Sequence, residues 1–373
     1  MSVEKDASPG TPPDASAPTP APATSAAPAG RPSACSVAGL VGSYAWALAM
    51  IALGSLLGGV VAVLVGSLAY VALVPGADAG DFAGAMLDGA GGILGTTDSY
   101  STSAVSALYT GVSYLGTIGV WIVVLVYLAA SRRARPILKT VTRRVAGNTP
   151  ARLGAGLLLG LALNGACALV AVATGSLDLS FVGLNVGGLV FVFLCVFVQS
   201  SSEELLCRCY LYQRTLRVSG SPVVSLVVTS LLFGALHLGN AGLTPLALAN
   251  VTLVGVLFGL LTWRLDSPWA AFGAHTGWNF MQAVVLGLPN SGIVTPFALF
   301  GLAPGTSTVA GIAYDPAFGI EGSPLATVLI VAVCACVYLW GKRCAVRPTD
   351  VWAGLEEGVP RDGEASPLPP AAA

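Results

Sequence analysis

The sequence predicts an all-α polytopic membrane protein, a bundle of about eight transmembrane helices with both termini in the cytoplasm. Three observations carry that prediction. Charged residues are only 9% of the 373 and hydrophobic ones 55%, with a mean hydropathy of +0.79, whereas a soluble domain carries roughly 25% charge. Apolar runs of about 20 residues, enough to cross a bilayer, recur along the chain. All 17 Lys and Arg fit alternate loops or the tails, as the preference of basic residues for the cytoplasmic side demands.

Residues 1–37 are rich in Pro, Ala, Ser and Thr. They bury too little surface to offset the entropy of ordering and are expected to form a disordered tail. They lack the short apolar core and cleavage site of a signal peptide, so the first long apolar run reads as an uncleaved anchor. Apolar runs follow at about 44–74, 105–130, 153–174, 182–199 with an apolar continuation, 222–238, 243–263, 268–288 and 325–340. Together 38–342 make the transmembrane domain, and 343–373, again rich in Pro and Ala, a second disordered tail.

The basic residues set the orientation. Loop 131–152 holds Arg132, Arg133, Arg135, Lys139, Arg143, Arg144 and Arg152. Arg208, Arg214 and Arg217 end the fourth run, Arg264 follows the sixth, and Lys342, Arg343 and Arg347 follow the eighth. Loops 75–104, 175–181, 239–242 and 289–324 hold no Lys or Arg, only Asp78, Asp81, Asp88, Asp98, Asp178, Asp315 and Glu321. The second set is therefore expected outside.

Small residues explain much of the glycine. Gly54 and Gly58, Gly255 and Gly259, and Gly273 and Gly277 are each four apart, on one helix face, which lets backbones approach closely in lipid. The last pair brackets His275 and is expected to bring that helix near the one bearing Glu203. The eight cysteines form no disulfide or metal framework. They lie within apolar runs or on the expected cytoplasmic side, where thiols stay reduced, and none stands in a C-x-x-C.

The two histidines are the most informative residues. His237 lies in a run whose neighbours offer it no charged partner. His275 and Asn279 are four apart on one face of another run, and Glu203, Glu204 and Arg208 end a third. Ionisable groups in hydrocarbon are costly, so such a set reads as a functional site. Glu204 and Arg208 can pair across one turn. Glu203 then points about 100° away and stays free.

Glu203-Glu204-Leu-Leu-Cys-Arg208, Phe233-Gly-Ala-Leu-His237 and His275-Thr-Gly-Trp-Asn279 resemble, in order, the E-E-x-x-x-R, F-x-x-x-H and H-x-x-x-N motifs of the CPBP family. These membrane proteases include the type II CAAX prenyl endopeptidases and bacterial relatives such as bacteriocin self-immunity and lysostaphin-resistance proteins. The motifs cover a catalytic core of about 182–288. The resemblance implies an intramembrane endopeptidase, with Glu203 the general base, His237 holding the water, and His275 with Asn279 stabilising the oxyanion. Glu204, Arg208 and Phe233 would support them. These roles agree with the physical need for a base within hydrogen-bond reach of water and for preorganised donors at the developing charge.

A metal version is the rival. Glu203, His237 and His275 supply two imidazoles and a carboxylate, a known zinc set with an open position for water, and Glu204 or a freed carboxylate would then serve as base. Zinc is the expected cofactor on that reading, and the metal-free mechanism is the other. The chain has no H-E-x-x-H, so any metal site must assemble across helices.

The expected partners are the lipid bilayer and a membrane-associated protein or peptide substrate, with no nucleic acid. The CAAX relationship implies cleavage near a lipidated C-terminus, although bacterial relatives need not see prenylated protein. The expected location is a bacterial plasma membrane. Two other classes fit in part: a non-catalytic membrane scaffold or regulator with the same fold, and an ion-coupled transporter. No internal repeat or pair of interrupted helices of the carrier kind supports the transporter.

Depth poses one difficulty. At about 1.5 Å per residue, His275 lies roughly 12 Å into its helix from the cytoplasmic end and His237 roughly 24 Å into its own. A common site requires the His237 helix to start well below the membrane or to tilt.

Overall fold

The structure is a computed structural model that describes residues 34–87, 101–303, 310–341 and 350–352. Most of the two expected tails, with Asp88, Asp98, Lys342, Arg343 and Arg347, lies outside these residues. The chain runs through α1 (Ala34–Leu73), α2 (Ala79–Leu87), α3 (Ala104–Leu115), α4 (Ile118–Ala130), α5 (Leu138–Val141) and α6 (Pro150–Ala173). It continues through β1 (Leu179–Phe181), α7 (Val186–Glu204), α8 (Tyr212–Ser219), α9 (Pro222–Ala235), α10 (Pro245–Arg264), α11 (Pro268–Asn279), β2 (Phe300–Leu302) and α12 (Pro324–Trp340).

The fold is all-α and polytopic, as expected. Among the described residues five helical stretches are long and apolar enough to cross a membrane: Ser36–Leu73, Ala104–Ala130, Pro150–Ala173, Val186–Ser219 and Pro245–Arg264. The three other predicted runs are also helical but shorter, in α9, α11 and α12. Several helices start on a Ser or Thr cap followed by Pro: Thr149, Ser221, Thr244, Ser267 and Ser323 each accept a backbone N–H of the first turn. A hydroxyl satisfies an orphan donor there, and Pro at the first helical position has no N–H to leave unpaired. The helix starting at Ala34 takes in the last residues of the expected tail 1–37.

The alternation read from the basic residues reappears as two ends. At one end Arg152 Nη1 donates to Leu265 O (2.8 Å), Arg264 Nη2 to Tyr338 O and Gly341 O, and Trp269 Nε1 to Val141 O. At the other end β1 pairs antiparallel with β2, Leu179 opposite Leu302, Asn185 Nδ2 donates to Thr102 O, and Asn240 Nδ2 to Ser291 O. The sheet and α2 are structure within predicted loops. Among the described residues of the second expected tail, Trp352 is held: its Nε1 donates to Gln213 O (2.8 Å) and the Arg217 guanidinium lies 4.6 Å from its ring centre.

The glycine pairs are packing seams. A Cβ at Gly54 or Gly58 would collide with the backbone of Gly116, just past α3, and of Gly119 and Val120 in α4, and the Gly255–Gly259 face meets Ser230 and Leu226 of α9. Gly273 and Gly277 correct one expectation. Their Cβ positions fall 2.1 Å from Leu153 O and 2.2 Å from Leu157 O, while Gly156 and Gly160 face Ala270 O and Ala274 O in return. The seam joins α11 to α6, not to the helix bearing Glu203. Helical geometry explains it: two residues turn about 200°, so the glycines and the His275–Asn279 pair occupy opposite faces.

The depth difficulty is resolved by α8. Helix α7 continues through a π-helical segment, Leu205–Leu211, into α8. Helix α5 packs on both that segment and α11, which puts the π-helix level with the start of α11. Eight residues of α8 then carry the start of α9 about 12 Å further out, the offset that was missing.

Candidate active site

The three motifs meet around one cavity of about 420 Å³ lined by Glu203, His237, His275 and Asn279, among others. Helix α7 delivers Glu203 and Glu204 at its last turn, just before the π-helix, a deviation that recurs at functional sites. A second π-helical segment, Phe280–Val285, follows Asn279 directly.

Glu204 is buried and paired as predicted, its Oε2 3.1 Å from Arg208 Nε. It also does something the sequence did not reveal: Oε1 lies 2.9 Å from His275 Nδ1. With Nδ1–H donated to this carboxylate, Nε2 of His275 is directed toward Glu203, 3.9 Å from its Oε2. Glu203 keeps 32% of its side chain exposed, against 0% for Glu204. The free carboxylate is thus the predicted one.

Gln199, one turn before Glu203, ties that carboxylate to Asn279. Its Nε2 donates to Glu203 Oε1 (2.5 Å), and its Oε1 accepts from Asn279 Nδ2 (3.0 Å). Asn279 Nδ2 also donates to Ser200 Oγ at 3.3 Å. The i,i+4 spacing of Gln199 and Glu203 is a signal the sequence did offer.

His237 stands just past the end of α9, not inside a longer helix, since the α-helix stops at Ala235 and His237 N donates to Gly234 O in a tighter turn. Its Nδ1 lies 2.8 Å from Phe233 O. Phe233 is the hub of the aromatic wall: its ring is 5.0 Å from His237, 5.8 Å from His275 and 4.7 Å from the Arg208 guanidinium. Phe258, from α10, stacks on His275 at 5.0 Å and 24°. Arg208 Nη2 also donates to Gly255 O (2.8 Å). Sequence reasoning missed Phe258 because an aromatic in an apolar helix carries no distinguishing signal.

Glu321, like Gln199, stands outside the three motifs. It belongs to loop 289–324, expected outside, yet it lines the same cavity and is buried. Burial pushes its carboxyl above the ordinary value, opposed by the hydrogen bonds of Ser291 and Trp278 and by His237.

For a metal the donor set does not fit as arranged. Among the described residues no three His, Cys, Asp or Glu side chains form a group that could hold an ion. Cys207 lines the cavity within an apolar cluster with Phe233, Val251 and Phe318.

No curated protein and no solved structure matches the chain. Residues 185–281, which hold all three motifs from α7 through His275 and Asn279, match the family model described as Type II CAAX prenyl endopeptidase Rce1-like, consistent with the CPBP family to which the motifs point.

Proposed function

We propose that this integral membrane protein is an endopeptidase that hydrolyses a peptide bond of a membrane-associated substrate, near a C-terminus that in the matched family is lipidated. One observation carries the reading: the partly exposed carboxylate of Glu203 and the Nε2 of His275, both lining the cavity, lie 3.9 Å apart. That gap is too long for a hydrogen bond, and a water set to one side of it reaches both groups.

In the forward step Glu203 takes a proton from this water as the water oxygen adds to the scissile carbonyl carbon. The C=O electron pair moves onto oxygen. A His275 ring carrying both protons is already held at Nδ1 by Glu204 and donates from Nε2 to the oxyanion. Asn279 adds a second donor by exchanging its longer bond, to Ser200, for the oxyanion. Preorganised donors of this kind stabilise the transition state more than the ground state. Collapse of the intermediate breaks the C–N bond, and Glu203 returns the proton to the leaving amine. His237 helps hold the attacking water, and the ring of Phe233, which lines the cavity, limits access of other water.

Zinc, if bound by Glu203, His237 and His275, would supply a Lewis acid for the carbonyl and a more acidic water. The donor geometry gives that version no support.

The test is cleavage of a peptide by the protein reconstituted in lipid. Loss of cleavage in Glu203→Ala supports hydrolysis at this site, whereas cleavage equal to wild type removes it. Comparison of membrane proteins from cells carrying wild type or Glu203→Gln identifies the substrate class through a new terminus made only by the active form. A bacterial plasma membrane is the setting to search.

A further inference from the structure

Glu321 reaches the cavity because the chain before it turns in a way only glycine allows. Gly319 has φ +98, and a Cβ there would lie 2.0 Å from Pro289 O. The short 3-10 turn Ile320–Gly322 follows. Asn250 Nδ2, in α10, fixes its backbone by donating to Glu321 O (2.7 Å) and Ser323 O (3.0 Å). A carboxylate only 6% exposed carries a large desolvation cost unless it is well hydrogen-bonded, and this one collects three donors. Trp278 Nε1 donates to Oε1 (3.0 Å), and Ser291 N and Oγ to Oε2 (2.9 and 2.7 Å).

Both donor residues lead to the site. Trp278 lies between His275 and Asn279 on α11. Ser291, itself at φ 49 in a region that L-residues enter only when held, accepts at its carbonyl from Asn240 Nδ2 (3.0 Å). Asn240 N in turn donates to His237 O (3.0 Å). One carboxylate therefore links α11 to the turn that carries His237.

We propose that Glu321 is a positioning residue for the hydrolysis, holding His275 and Asn279 through Trp278, and His237 through Ser291 and Asn240, in one register. The proposal rests on the endopeptidase reading. Gln is a poor substitute: its oxygen can accept from Trp278, but its NH2 then meets the two donors of Ser291. A site loosened by a fraction of an ångström loses turnover before it loses binding, because the affected donors act in the transition state.

The test uses the full chain in lipid, with Glu321→Gln, Trp278→Phe, the double variant and Glu203→Ala. Glu321→Gln is expected to lower kcat about tenfold with KM changed less than about twofold. Trp278→Phe, which keeps a ring but removes the N–H, should do much the same. Glu321→Gln weakens the Trp278 link as well as breaking the Ser291 one, because a neutral amide oxygen accepts less strongly than a carboxylate, so the double variant should lose less than the product of the two single losses. Independently of turnover, the indole N–H resonance of Trp278, assigned by its disappearance in Trp278→Phe, should shift in Glu321→Gln.

Unchanged kcat in both single variants, losses that multiply in the double, or an indole signal that does not move would each overturn the role of Glu321 while Glu203-dependent cleavage stands. Cleavage that does not depend on Glu203 would instead overturn the hydrolytic reading and the positioning role with it. If Glu321→Gln does not fold, Trp278→Phe alone decides, a wild-type kcat sinking the proposal.

Discussion

Glu204 Oε1 lies 2.9 Å from His275 Nδ1, so the carboxylate that neutralises Arg208 also fixes which nitrogen of the site histidine faces Glu203. The two adjacent glutamates therefore differ in kind. Replacing one partner of a buried pair leaves the other charge uncompensated, at about 3–5 kcal/mol. Glu204→Gln is expected to lower the melting temperature of the purified protein clearly, whereas Glu203→Gln, at a cavity-facing position, should melt near wild type yet lose cleavage. The reverse pattern would exchange the two roles.

Metal removal separates the two chemistries. With water activated by Glu203 alone, dialysis against a chelator should leave the cleavage rate unchanged, and elemental analysis should find no stoichiometric zinc. A rate that falls with chelator and returns with zinc would show that His237 and His275 close around an ion in the active form.

The stability of the site should depend on pH through Glu321. Burial raises its folded carboxyl above the ordinary value, so its contribution is fully present when it is protonated in both states and is lost as pH rises through the folded value. Melting temperatures measured over a pH series should show wild type losing stability relative to Glu321→Gln as pH increases above the ordinary carboxylate range. A difference that stays flat or grows with pH contradicts the sign.

Gly277 tests the seam that seats α11. A Cβ there would lie 2.2 Å from Leu157 O, and overpacking of this kind costs about 1–3 kcal/mol. Gly277→Val should lower both melting temperature and cleavage, with Gly59→Val, where a Cβ meets nothing within 4 Å, as the neutral control.

Orientation can be read with reporters. A tag placed after Lys342 should report the cytoplasm and one within 289–324 the outside. The opposite result would invert the bundle while leaving its two ends intact.

Much of this protein is decided by local sequence. Hydropathy and the placement of Lys and Arg set the helical runs and their alternation, because the cost of charge in lipid acts on each segment separately. The Glu204–Arg208 pair and the shared face of His275 and Asn279 follow from helical periodicity alone, and so does the opposite face of Gly273 and Gly277, two residues and about 200° away. Tertiary structure alone decided that α8 displaces the start of α9, that Glu204 reaches His275, that Phe258 stacks on that ring, and that Glu321 returns from a loop into the cavity. These depend on contacts between residues tens of positions apart, whose energies come from packing and desolvation that no local spacing encodes.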